Sequence, residues 1–249
     1  MSEDYSYLGT GQIYVREWGS DAPLVEVGNC SAVNLSPQIE SKELADFTTP
    51  GGGLRNEVSR NKGVDFGYTF HDFSPANLAR ALRGDVALVA AGTATAEDAV
   101  AYEGGFIPLA KLPLAITEVT NTGDTVTYTE GTDYEMRPGG IFILDGTTIA
   151  DSVAGAANLK VTYTYGAQKK VQAMVNSAKQ YEIVFAGMNE ARSGKVSRIQ
   201  CHKVSHGVMA QFAAIGEDYG AGEVTGKLLQ DTTKTGTGIS RYFIVEQED

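Results

Sequence analysis

Apolar and polar side chains that alternate along a chain fit an extended strand with one buried face, because successive residues of a strand point to opposite sides. That two-residue period dominates this sequence. From Asn29 to Ser41, Ser31, Val33, Leu35, Pro37 and Ile39 alternate with Cys30, Ala32, Asn34, Ser36, Gln38 and Glu40, which predicts a long half-buried strand. Val64, Phe66, Tyr68 and Phe70 alternate with Asp65, Gly67, Thr69 and His71, so a second strand should run to about Asp72 with its aromatic face in the core. A first strand is expected over about Gln12 to Trp18. Later ones are expected over Leu114 to Thr120, Thr125 to Thr129, Ile141 to Leu144, Leu159 to Tyr165, Tyr181 to Ala186, Val196 to Val204, Glu223 to Gln230 and Tyr242 to Val245. Most are rich in β-branched and aromatic residues. Turn signals at Asn121-Thr-Gly-Asp, Pro138-Gly-Gly, Asp145-Gly and Gly236-Thr-Gly separate several of them. The expected class is mainly β, built of hairpins and meanders.

One segment reads as helix, Pro75 to Arg83. Ser74 can cap the free amides of its first turn, Pro75 suits the first helical position, and Gly84 follows Arg80 and Arg83 at the far end. Leu78 and Leu82 then share a face for packing on a sheet. A weaker helical stretch covers Thr95 to Tyr102. Two regions lack the two-residue period. Leu44 to Lys62, LADFTTPGGGLRNEVSRNK, reads as a long glycine-bearing charged loop between two strands, the kind that is usually functional or disordered. Lys111 to Gly166 has its own turn chemistry and short strands and reads as an inserted β subdomain. The chain is therefore divided into 1–110, 111–166 and 167–249.

Composition excludes several classes. A net charge of -11 opposes a nucleic-acid backbone and argues against a general DNA-binding module. Only Cys30 and Cys201 are present, too few for a disulfide framework in a chain of 249 residues. The start, Met1-Ser2-Glu3-Asp4-Tyr5, lacks the basic and apolar regions of a leader, and no run approaches the roughly 20 apolar residues of a membrane helix, so a soluble body is expected.

Enzyme signatures fail one by one. Gly226-Lys227 resembles the end of a phosphate-binding loop, but Ala221 stands where the first glycine belongs and Leu228 where a hydroxyl must meet the metal. Gly9-Thr10-Gly11 lacks a third glycine and a preceding strand, and there is no Gly-x-Ser-x-Gly elbow. Cys201, His202 and His206 form the one metal-like cluster; on a strand the histidines would share a face and Cys201 would point away, and a closed zinc site wants four converging ligands. The plain reading is a core thiol beside hydrogen-bonded or solvated histidines. Glu217-Asp218 and the terminal acids read as surface charge. The expectation is no enzyme, no cofactor and no metal. Most of the 12 Tyr and 9 Phe fall on alternating strand faces as core, but Tyr5 and Tyr7 precede the first strand and could anchor an N-terminal arm on a neighbour.

The order of features is more specific than any motif. Leu8-Gly-Thr-Gly-Gln-Ile-Tyr-Val is followed by Val27-Gly-Asn-Cys-Ser-Ala-Val-Asn-Leu-Ser-Pro-Gln-Ile-Glu-Ser-Lys, then the glycine-rich loop, then a strand ending His71-Asp-Phe-Ser-Pro-Ala-Asn-Leu-Ala-Arg-Ala-Leu-Arg-Gly. With Lys195-Val-Ser-Arg-Ile, Phe212-Ala-Ala-Ile-Gly-Glu-Asp-Tyr-Gly and Gly222-Glu-Val-Thr-Gly-Lys-Leu-Leu-Gln-Asp, this succession resembles the major tail tube proteins of long-tailed bacteriophages, over most of the chain except Lys111 to Gly166. The resemblance implies a β-sandwich or barrel with one flanking helix, forming hexameric rings with a continuous inner β-barrel that stack into a hollow conduit for the genome. It also implies a place in the virion tail after assembly in the host cytoplasm, with tape-measure, terminator and distal tail proteins as partners, DNA passing without specific binding, and no membrane. Leu44, Phe47, Gly51, Gly52, Gly53, Leu54, Arg55, Glu57 and Arg60 would then belong to an inter-ring stacking loop, and Gln38 and Glu40 would line the lumen, where acidic walls repel passing phosphates. The competing expectation is another virion component, a neck, head or host-recognition module, with Lys111 to Gly166 as the binding part.

Overall fold

The structure, a computed structural model, describes residues 4–249; the Met1-Ser2-Glu3 part of the acidic start lies outside the described residues. In chain order the strands are β1 (Gly9–Glu17), β2 (Val25–Glu26), β3 (Cys30–Ala45) and β4 (Leu54–Phe70), followed by the helix α1 (Pro75–Ala81). Then come β5 (Asp85–Val89), β6 (Gly92–Ala99), β7 (Phe106–Pro108), β8 (Pro113–Asn121), β9 (Tyr134–Arg137), β10 (Gly140–Ile143), β11 (Leu159–Tyr165) and β12 (Gln168–Gln172). The chain closes with β13 (Gln180–Asn189), a short 3-10 turn at Glu190–Arg192, β14 (Lys195–Met209), β15 (Gly222–Leu228) and β16 (Phe243–Gln247). The mainly β class is what the alternation predicts, and among the described residues the one α-helix is the segment that the capping signals mark after β4. The chain divides into two compact units, Met1–Val86 with Val171–Asp249, and Ala87–Lys170.

The first unit is an eight-stranded sheet in the order β2-β1-β13-β14-β15-β4-β3, with β16 also paired to β14, and its named pairs are antiparallel. The aromatic face of β4 is core, as its alternation predicts: Phe66, Tyr68 and Phe70 are buried with Ile13, Val15, Ile183, Cys201, Val204 and Val224. The rings of Phe66, Tyr68 and Phe70 stand 5.8 and 6.1 Å apart in tilted sequence. At α1 the Ser74 hydroxyl accepts from the Asn77 amide and Pro75 sits in the first turn, as expected. The helix ends at Ala81 rather than Arg83, because Arg83 takes a left-handed φ of 49°. Ala81 is buried, and Leu78 and Leu82 pack against the core. Buried Asn77 explains its place in the Ser-Pro-Ala-Asn-Leu motif. Its Nδ2 donates to the Val27 and Asp72 carbonyls, tying the helix to the chain before β3 and after β4.

The second unit is built of two three-stranded sheets, β6-β11-β8 and β7-β10-β9, which share one core of Val119, Tyr134, Ile141, Ile143, Leu159, Val161 and Tyr163. It starts at Ala87, upstream of the Lys111 read from sequence. The reason is that Gly92–Ala99 pairs with β11 as a strand where a helix over Thr95 to Tyr102 was expected. Alanine's helical preference is a small term that tertiary pairing overrides, and Ala96 interrupts the run with a φ of 52°. Thr125 to Thr129 is not a strand either. Asn121 Oδ1 accepts from the Thr125 and Val126 amides, which folds the segment into a turn with only an isolated bridge at Thr127. β5 and β12, where the chain passes between the units, pair with each other.

The largest departure from the sequence reading is at Leu44 to Lys62. The segment is not a long loop: β3 runs on to Ala45, β4 begins at Leu54, and only Asp46 to Gly53 turns. The two-residue period disappears there because neither face of the ribbon is buried, which removes the contrast that the period records.

Candidate assembly surface

The hairpin β3–β4 has a rooted half and a bare half. From Cys30 opposite Phe70 to Pro37 opposite Val64 it belongs to the sheet; beyond the irregularity at Gln38 and Ile39 it continues as a two-stranded arm, from Ile39 opposite Asn61 to Ala45 opposite Leu54. Residues opposite one another share a face. One face therefore carries Ile39 with Asn61, Ser41 with Ser59, Glu43 with Glu57, and Ala45 with Leu54. The other carries Glu40 with Arg60, Lys42 with Val58, and Leu44 with Asn56, and Arg55 is the extra residue of a bulge near the tip. The Ser41 and Ser59 hydroxyls lie 3.1 Å apart, and the Lys42 ammonium lies 3.0 Å from the Glu40 carboxylate.

An isolated two-stranded hairpin is marginal in water, and this one also exposes its apolar side chains. Phe47 is 85%, Ile39 65% and Leu54 60% exposed, with Leu44 and Val58 close behind. Glu43 and Glu57 stand directly opposite each other, an arrangement that opposes pairing. The tip is nevertheless well made. Asp46 accepts from the Thr48 amide and from the hydroxyls of Thr48 and Thr49, which holds its carboxyl below the usual range, and the Asp46 amide donates to the Gly53 carbonyl. Gly51 and Gly52 have φ of +99° and +65°, which L side chains rarely adopt. A preformed tip on an uncovered arm has the character of a contact element.

The structure places the expected stacking-loop residues Leu44, Phe47, Gly51, Gly52, Gly53, Leu54, Arg55, Glu57 and Arg60 together on this arm. Gln38 and Glu40, singled out for the lumen, stand at its base, and Glu40 is the cross-strand neighbour of Arg60. The two expected sets therefore share one ribbon. Ile39 and Glu43 on one face of the arm and Val58 on the other were missed, since nothing in their local sequence marks them as uncovered.

Open backbone edges accompany the arm. Along its length β3 pairs only with β4, and β1 meets β2 only at Tyr14 and Val15. A cleft of about 620 Å³ is lined by Gly9, Gly11 and Ile13 of β1, by Ser31 and Val33 of β3, and by Phe185 and Ile199. Unpaired edges of this kind invite pairing with another chain.

Tyr5 and Tyr7 each make a contact within their own chain while both rings stay largely exposed. The Arg192 guanidinium sits 4.5 Å from the Tyr5 ring centre, the Tyr7 hydroxyl is 3.1 Å from that of Ser197, and Asn189 Nδ2 donates to the Ser6 carbonyl. Asn189 Oδ1 in turn accepts from the Leu8 amide. Asparagine can satisfy both backbone groups at once, and that ties the segment down.

Cys201, His202 and His206 do not converge. Cys201 is buried in the first unit's core, and burial pushes its thiol up to about 12. His206 lies in the same core, with Nε2 2.8 Å from the Tyr68 hydroxyl and Nδ1 2.8 Å from the Gly207 carbonyl. Nδ1 must donate to that carbonyl, and on the neutral ring Nε2 then accepts from the Tyr68 hydroxyl. Burial, aided by Arg80, lowers its pKa to about 4. His202 is buried beside Arg16, Trp18, Glu182 and Asp231. Among the described residues no group of three or more His, Cys, Asp or Glu side chains could hold a metal ion, and no helix is long and apolar enough to cross a membrane.

No curated protein matches this chain. Residues 6–246 match the model of a family described as "Protein of unknown function UCP028589". Because the match covers nearly the whole chain, the chain belongs to that family.

Proposed function

We propose that this chain is the structural subunit of a bacteriophage tail tube, polymerising as stacked hexameric rings into a hollow conduit for the genome. The observation that carries the reading is the arm: a ribbon with both faces in solvent, apolar side chains bare and a fixed tip finds its missing cover in other copies of the chain. The open edges of β1 and β3 support it, because strand edges left unpaired in one molecule are satisfied when a neighbour's edge meets them. A rotation that closes gives a ring, and a contact that does not close runs on as a filament. The charge of -11 suits a conduit that must not hold the DNA it passes, and Gln38 and Glu40 remain the proposed lumen residues. In this reading the chain is not an enzyme, resides in the virion tail, and meets tape-measure, terminator and distal tail proteins.

Negative-stain microscopy of the concentrated, purified protein tests the reading. Hollow filaments of uniform width are the expected result; a strict monomer at all concentrations and salts sinks it. Replacing Gly51, Gly52 and Gly53 with alanine should shorten or abolish the tubes while leaving folded monomers. A second reading, a neck, head or host-recognition component of the same virion, is favoured by one observation, the self-contained core of the second unit. It predicts binding by residues 87–170 and no filaments.

A further inference from the structure

β4 carries a contact element at each of its ends. At its first end it forms the arm; its buried half then runs from Val64, opposite Leu228, to Phe70, opposite Gly222. At that far end the chain leaves β14 at Met209 and returns to β15 at Gly222 through a surface loop, Ala210 to Ala221. The arm's base and this loop are thus separated by about 20 Å of strand, at opposite ends of one sheet. One molecule cannot bring the two together.

The loop is uncovered and acidic. Ile215 is 96% and Tyr219 99% exposed. Glu217 and Asp218 stand between them, and no Lys or Arg occurs from Ala210 to Gly226. Loop residues including Glu217, Asp218 and Tyr219 line a cleft of about 650 Å³ with Thr69 of β4. The loop is also anchored: the Phe212 ring lies 5.7 Å from Phe73, which lies 5.3 Å from buried Phe70, and the Gly220 carbonyl is 3.1 Å from His71 Nδ1.

The arm presents complementary chemistry on the face that bears Leu44 and Val58. Glu40 on that face is engaged by Lys42, and Asp46 at the tip lies 3.9 Å from Arg55. Glu43 and Glu57 point to the other face. Among the described residues no carboxylate is within ion-pair distance of Arg60 or Lys62, and Arg55 is held only loosely.

We infer that the acidic loop Ala210–Ala221 is the receptor for the arm of the next copy, with Arg55 and Arg60 meeting Glu217 and Asp218 and the bare apolar groups of tip and loop covering each other. This rests on the tube reading and adds its stacking contact: a head-to-tail joint between opposite ends of the sheet, which propagates along one axis. Exposed Ile215 and Tyr219 supply apolar area, and the charges set register and partner.

Charge reversal in the full-length chain tests the joint. Glu217→Lys with Asp218→Lys, and separately Arg55→Glu with Arg60→Glu, should each cut the yield of long filaments by at least about tenfold, a loss of roughly one strong contact. Unchanged thermal unfolding shows that the variants still fold. Combining all four substitutions should restore filaments to within a few-fold of the original chain. Loop-reversed protein that builds filaments of normal length overturns the inference, and assigns the loop to a different partner protein. So does a four-fold variant that stays inactive while both two-fold variants fold. Either result, set beside tubes from the unaltered chain, leaves the tube reading standing; absence of tubes from the unaltered chain removes that reading itself.

Discussion

The two halves of the β3–β4 hairpin are made of the same two antiparallel strands, joined across an irregularity at Gln38 and Ile39, and they differ in burial. The rooted half buries Phe66, Tyr68 and Phe70 under α1 and beside β14 and β15, while the arm from Ile39 to Lys62 exposes nearly every residue. Backbone hydrogen bonds are present in both. Their net contribution is modest once exchange with water is counted, so what separates the halves is apolar burial, at about 25 cal/mol per Å² removed from water. The root would hold its shape in an isolated molecule. The arm lacks that burial in the single chain.

Hydrogen exchange sharpens this contrast most. In the monomer, amides of Val64 to Phe70 should open only with global unfolding, while arm amides of β4 before Lys62 should be protected by about 1 kcal/mol or less, a gap of about 5 kcal/mol or more. In assembled material the arm amides should slow towards the root's. Equal protection in the monomer would break the comparison. Truncation tests the same boundary: Phe70→Ala should lower the unfolding free energy by about 3–5 kcal/mol, whereas Phe47→Ala should change it by less than about 0.5 kcal/mol. Chemical denaturation reads both, and a large monomer penalty at Phe47 would mean that the tip packs on its own body.

Acid should weaken the root through its buried histidines. His206 is neutral in the core with a pKa of about 4, below the ordinary histidine value of 6.5, so folding favours the uncharged ring. That stabilisation is complete above pH 6.5 and is lost as pH falls through the folded value of about 4, for a total on the order of 3 kcal/mol. Burial lowers His202 as well, adding in the same direction. Denaturant midpoints from pH 7 to 4 should decline, and a flat profile would refute the neutral buried imidazole. The smallest effect belongs to the arm: Glu57→Gln removes the like charge facing Glu43 and should raise monomer stability by a few tenths of a kcal/mol at most. A rise in arm protection at low salt that fades at high salt would show the repulsion directly.

Strands with one buried face were legible because burial writes itself into the sequence as alternation; β4 from Val64 onward, β11 and β14 are such cases. The capped start of α1 was legible for a local reason as well, since Ser74, Pro75 and Asn77 act within one turn. Gly92–Ala99 was misread because its Ala-rich run becomes a strand only through β11, which lies far along the chain.

By itself the sequence determined the mainly β class, the helix start, the buried aromatic face of β4 and the absence of a strong catalytic motif, all consequences of nearest-neighbour chemistry. Only the tertiary structure decided that Leu44 to Lys62 is a paired arm, that Tyr5 and Tyr7 make contacts within their own chain, and that the acidic loop and the arm occupy opposite ends of one sheet. The physical reason is that pairing between distant segments and exposure on both faces leave no periodic trace along the chain.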